Sequence, residues 1–223
     1  MKIELAMKTT NQQGNYIYML VGLLVLITIG PALSERLDVG SRLFIQSSFS
    51  AIMFIGVWTL YTDRFLFRFG MGLVLTSFIL TLVNYFVASE AIFFIGLISS
   101  FSFLLLSIYL AFTHILFSGK ITTNKIVGSL CIYMLIGVLW SLVYIFISII
   151  YAEAFHGDLP FSEYSHMWDY LYFSFVTLTT LGYGDITPSL PLVRSLAYLE
   201  AICGQFYLAI LVASLVGAYV KDH

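Results

Sequence analysis

Between a short apolar segment and the last long one, the chain reads Thr177-Leu178-Thr179-Thr180-Leu181-Gly182-Tyr183-Gly184-Asp185. From Thr180 to Gly184 no side chain is charged, so any chemistry there belongs to hydroxyl and main-chain oxygens. Gly182 and Gly184 stand at alternate positions, and glycine tolerates the backbone angles that turn successive carbonyls toward one line. A row of such carbonyls replaces the water shell of a cation without a fixed charge. Enzymatic chemistry leaves no comparable trace. There is no Gly-rich phosphate loop, zinc-spaced His pair or Gly-x-Ser-x-Gly elbow. Cys131 and Cys203 lack the spacing of a metal site or redox pair and read as packing residues. The sequence is read as a non-enzyme without a cofactor.

The elements that position this loop must lie in lipid. Apolar residues fill 60% of the 223 positions and charged residues 10%, against roughly a quarter charged in soluble domains. A net charge of -2 and the lack of a large basic cluster argue against a nucleic-acid partner. A membrane-crossing helix needs about 20 mostly apolar residues. Six stretches qualify, at about Tyr16–Leu33, Leu43–Tyr61, Phe65–Val87, Ala91–Phe117, Ile126–Tyr151 and Leu192–Val220. The first is expected to span rather than to be cleaved as a signal peptide. A shorter segment, about Met167 to Thr179, suits a re-entrant helix. The expected fold is all-α, with six transmembrane helices and a re-entrant helix and loop between the fifth and sixth.

With both termini in the cytoplasm, Lys2, Lys8, Arg64, Arg68, Lys120, Lys125 and Lys221 lie inside and Arg36, Arg42 and Arg194 outside, which obeys the positive-inside rule. Glu153, Asp158, Glu163, Asp169 and Asp185 then face outward as a cation-concentrating vestibule. Two domains are expected: a four-helix bundle with its linker over 1–125 and a pore-type unit over 126–223. No regulatory domain is expected beyond the last span.

The Thr180–Gly184 loop resembles the selectivity filter of the potassium channel family, Thr-(Val/Ile/Leu)-Gly-Tyr-Gly. That resemblance implies K+ as permeant ion, held by the carbonyls of Thr180, Leu181, Gly182 and Tyr183, with the Thr180 hydroxyl adding an oxygen at the cavity end. It implies that Leu181 and Tyr183 point away from the axis and pack against the short helix. An aromatic cuff would draw on Trp168, Tyr172 and Phe173. One loop per chain supplies a quarter of a carbonyl ring, so the resemblance implies a homotetramer in a lipid bilayer, in the inner or plasma membrane. Val176 departs from the pattern, because some relatives carry there a Glu that pairs with the position of Asp185. The Tyr172 hydroxyl or a water is left as the partner of Asp185.

The last span resembles the inner helix of small bacterial channels of the pore-domain family. Gly204 matches a hinge glycine, and Gln205, Leu208, Val212 and Val216 fall on one helical stripe as candidate gate residues. Glu200, an acid inside a span, is expected to support the filter from behind, with a pH-sensing role as the alternative. Two rival functions remain at this stage. A secondary transporter would show internal repeats and paired broken helices, and neither is evident. A non-conducting sensor or regulatory subunit would use the first four helices to bind lipid or a partner.

Six spans with the pore unit last resembles voltage-gated channels, whose fourth helix carries regularly spaced arginines. Ala91 to Phe117 contains no Lys or Arg, and His114 is the group there that titrates near neutrality. Arg64 and Arg68 read as interfacial anchors. One charge crossing the field gains about 2.3 kcal/mol per 100 mV, so a helix without charges gains almost nothing. Tail currents are expected to show weak or no voltage dependence; steep activation with several effective charges would contradict this.

Overall fold

A computed structural model describes residues 15–37, 64–87, 89–116, 123–157 and 167–222, together with Ser50 and Met53. The chain runs α1 (Asn15–Leu37), α2 (Arg64–Val87), α3 (Glu90–Leu116), α4 (Thr123–Ile150), β1 (Phe155–His156), α5 (Met167–Leu178), β2 (Thr187–Pro188) and α6 (Pro191–Asp222). Among the described residues three helices are long and apolar enough to cross a bilayer: Ala91–Thr113 in α3, Thr123–Ile150 as α4, and Pro191–Gly217 in α6. The stretches expected at Tyr16–Leu33 and Phe65–Val87 are helical, lying within α1 and α2. The span expected from Leu43 to Tyr61 lies outside the described residues except for Ser50 and Met53. At 12 residues, α5 falls well short of the ~20 needed to cross.

The chain divides into two compact units, Met1–Met134 and Leu135–His223. α4 is continuous from Thr123 to Ile150 and runs through this division.

In the first unit α2 and α3 pair closely. Water does not drive helices together inside lipid, so association relies on close packing and on hydrogen bonds between small polar side chains. That is what joins these two. The Ser77 and Ser100 hydroxyls lie 3.0 Å apart, and Ser99 Oγ donates to the Leu73 carbonyl at 3.0 Å. Met53, Val74 and Phe103 fill the apolar space alongside, flanked by Met71, Leu106 and Leu110.

The second unit is built around rings. Tyr144 of α4 meets Phe173 of α5 edge-on, with centroids 5.0 Å apart, and Phe155 of β1 at 5.7 Å. Ile147, Ala154 and Val193 complete that core. The ribbon pairs Phe155 with Pro188 and His156 with Thr187, and Ser189 N–H donates to the Ala154 carbonyl at 2.9 Å. The end of α4 is thereby stitched to the strand that follows the Thr180–Gly184 loop. Gly157, at φ 141°, permits a close approach here, since a Cβ there would lie 2.5 Å from the Asp185 carbonyl oxygen.

Two glycines let the helices of this unit approach α5. A Cβ on Gly137 would press on the Phe175 ring at 2.9 Å, and one on Gly204 would collide with the Leu178 carbonyl oxygen. Substitution at Gly204 is the costlier, because a backbone oxygen cannot swing aside as a ring edge can. Gly204→Ala is expected to lower stability by about 1–3 kcal/mol. Gly217→Ala, where an added Cβ meets nothing within 4 Å, is expected to be neutral or to stabilise by up to about 1 kcal/mol through helix propensity. Thermal unfolding of the detergent-solubilised protein separates the two, and equal effects would contradict the packing account.

Candidate functional site

The loop begins as a helix cap. Thr180 N–H donates to the Thr177 carbonyl at 2.9 Å and Leu181 N–H to the Val176 carbonyl at 2.9 Å. This pair of bonds closes a Schellman motif, in which the residue after the helix turns left-handed. That residue is Thr180, at φ 58°. Glycine is usual there, and an L-residue in this region costs roughly 1–2 kcal/mol. Gly182 N–H also reaches the Val176 carbonyl, at 3.3 Å. Amide hydrogens of the loop are thus turned toward the end of α5.

Beyond the cap the sign of φ alternates. Thr180 (58°), Gly182 (59°) and Gly184 (81°) are left-handed, whereas Leu181 and Tyr183 are not among the residues with positive φ. Such alternation brings successive carbonyls round to one side, where an extended strand would send them to opposite sides. No atom lies within 4 Å of a Cβ built on Gly182 or Gly184. Their glycine identity therefore answers to backbone conformation and not to crowding within the chain.

The sequence-predicted support residues are distributed as follows. Tyr172 Oη donates to Asp185 Oδ2 at 2.7 Å, spanning the loop from α5 to its far end. Asp185 is exposed, and the Tyr172 hydroxyl, followed by N–H groups at Ile186 and Asp185 itself, holds its carboxyl below the usual carboxylate value. The same bond pushes the Tyr172 phenol up to about 12. Phe173 packs in the core against Tyr144 and Phe155. Trp168 is buried at the start of α5, and its indole N–H has no hydrogen-bond partner among the described residues. Leu181 and Tyr183 are 56% and 67% exposed, so their own α5 does not cover them as the resemblance implied. A short helix offers one side to a loop that leaves its end, and here that side is engaged through Tyr172.

On α6, Gln205 Nε2 donates to Thr180 Oγ1 at 3.3 Å, placing an amide beside the first loop residue. Gly204 is buried against Leu178. Leu208 is half-buried, and Val212 and Val216 are exposed farther along the helix.

Glu200 is fully buried. Tyr144 Oη donates to its Oε2 at 2.6 Å, and Ser174 Oγ lies 2.5 Å from its Oε1. Ser174 Oγ also donates to the Gly137 carbonyl at 2.7 Å. Sequence reasoning found Glu200 but missed Tyr144, Ser174 and Gly137. The available signal was that a buried carboxyl inside an apolar helix requires hydroxyl partners from facing helices.

Residues 138–221 match a family described as an ion channel, less than half of the chain. No curated protein and no solved structure matches. The matched segment holds the C-terminal part of α4, the loop, and α6 almost to its end. With the three long apolar helices, it supports a membrane protein whose likeness to an ion channel is confined to this segment.

The Tyr172–Asp185 bond has a pH signature. A carboxyl whose folded pKa is depressed stabilises the fold fully above its ordinary value, and the contribution is lost as pH falls through the depressed value. Tyr172→Phe removes the largest cause of that depression. Loss of ion flux on external acidification is expected to begin at a higher pH in Tyr172→Phe than in the parent, read by flux into liposomes. An unmoved acid limb would show that the bond does not hold the loop.

Proposed function

We propose that four copies of this chain assemble around the Thr180–Gly184 loop as a passive, potassium-selective channel. The observation that carries this reading is the alternating left-handed backbone at Thr180, Gly182 and Gly184 on a sequence that resembles the potassium filter. The ion-channel family match supports the coarser half, and the loop geometry supports the finer half. In this reading the carbonyls of Thr180, Leu181, Gly182 and Tyr183 take the place of potassium's water.

The exposed side chains fit the same reading. Ile202, Phe206, Ile210, Val212, Val216 and Val220 of α6 are large, apolar and uncovered by their own chain. Lipid covers such a helix on one side, and neighbouring copies would cover the rest. Leu181 and Tyr183 would find in a neighbour the packing that their own α5 does not provide. Gln205 would face the cavity below the filter, with Leu208, Val212 and Val216 lining the route to the cytoplasmic end and closing it by a hydrophobic constriction. Gly204 would add compliance to α6 beside its packing role. Both termini would lie in the cytoplasm.

The test is a reconstituted bilayer with potassium on one side and sodium on the other. The parent protein is expected to reverse near the potassium equilibrium potential and to be blocked by barium. A side chain at either glycine strains the left-handed backbone, so Gly182→Ala and Gly184→Ala are expected to abolish selective current. Unchanged potassium-over-sodium selectivity in either variant, or a parent that passes both ions equally, refutes the assignment.

A further inference from the structure

The contacts of the cluster behind α5 call for one hydrogen more than its hydroxyl groups can supply. Three oxygen–oxygen contacts link it: Tyr144 Oη to Glu200 Oε2, Ser174 Oγ to Glu200 Oε1, and Ser174 Oγ to the Gly137 carbonyl, at 2.6, 2.5 and 2.7 Å. Each needs a hydrogen between its oxygens. Tyr144 and Ser174 bring one each, and a carbonyl brings none. The lengths suit a neutral or an ionised carboxyl equally, whereas the count does not. Were Glu200 ionised, one contact of Ser174 would set two oxygen lone pairs face to face.

We infer that Glu200 carries the third hydrogen, and that as a neutral acid it is a positioning residue joining α4, α5 and α6 behind the filter. Its Oε1–H donates to Ser174, Ser174 passes its own hydrogen to Gly137, and Oε2 accepts from Tyr144. Every donor and acceptor in the chain of bonds is then used once.

The surroundings agree with a neutral group. Glu200, Ser174 and Tyr144 are each 0% exposed, and a charge so placed needs a counter-charge. Tyr144 of α4 is the titratable group bonded to Glu200, and α5 contributes Ser174, which does not titrate. Among the described residues no Lys, Arg or His is bonded to it.

Position gives the group its effect. Glu200 meets Ser174, and one turn later Gly204 meets Leu178, so both contacts advance by four residues along α6 and α5 alike. The two helices run the same way, and the acid fixes their register just before Val176, whose carbonyl caps the loop. This role rests on the channel reading, but the proton assignment does not.

The test is infrared spectroscopy of the purified protein at pH 7 with isotope-labelled glutamate, paired with potassium flux. A protonated-acid carbonyl band is expected in the parent and absent from Glu200→Gln. Tyr144→Phe is expected to shift the band upward, because the acid carbonyl loses its donor. Glu200→Gln keeps one donor and one acceptor, and is expected to retain flux and selectivity within about twofold of the parent. Glu200→Ala is expected to lose at least tenfold. No band in the parent, or Glu200→Gln as impaired as Glu200→Ala while still assembled, overturns the inference. A band in a parent protein that passes no potassium upholds the proton and overturns the channel instead.

Discussion

The Val176 carbonyl is the point on which the second unit turns. It accepts the N–H of Leu181 at 2.9 Å and of Gly182 at 3.3 Å, so the loop leaves α5 with its first amide hydrogens spent on the helix end. The last carbonyls of any helix lack intrahelical partners and need such donors. Turning the hydrogens inward leaves the loop's own carbonyls for another use. In the proposed channel, the same bonds that cap α5 would prepare the loop for cations.

This arrangement stores strain at Thr180, where the Schellman cap would favour glycine. Strain of that kind persists when the surroundings over-determine the conformation. Thr177 and Val176 accept from the loop at its start, Gln205 donates to the Thr180 hydroxyl, and Tyr172 holds Asp185 at its end. The ribbon of β1 and β2 fixes the segment that follows. A glycine at 180 would ease the backbone but leave Gln205 without its acceptor, which gives a physical reason for threonine there.

Legibility in the sequence divides along the range of the forces involved. Gly182 and Gly184 declare a local backbone requirement, so the loop is readable from its own residues. The long apolar helices α3, α4 and α6 are readable for the same reason, because hydropathy is a local sum. The left-handed Thr180 is not readable, since its residue type argues against it and the cap that imposes it is a product of the fold. The packing of Phe173 against Tyr144 and Phe155 is not readable either, because α5 is aromatic on more than one side and its partner rings lie on other elements. Ser174 and Tyr144 lie 26 and 56 residues from Glu200, and nothing local announces that they meet.

The two carboxyls of the site show how depth sorts one chemistry into two roles. Asp185 is exposed and, beside a donating phenol, is held as an anion at the edge where water screens it. Glu200 is fully buried, and the inferred hydrogen would let it join three helices with no net charge. A fixed negative charge behind α5 would act on any cation in the loop through low-dielectric protein, where Coulomb forces are strong. With Glu200 neutral, the field at the loop is set by main-chain dipoles, and those are oriented by the cap at Val176. Selectivity for one monovalent cation over another depends on small differences in oxygen coordination. Such differences would survive beside neutral dipoles better than beside a buried anion, so in the proposed channel the inferred proton and the filter would serve one electrostatic design.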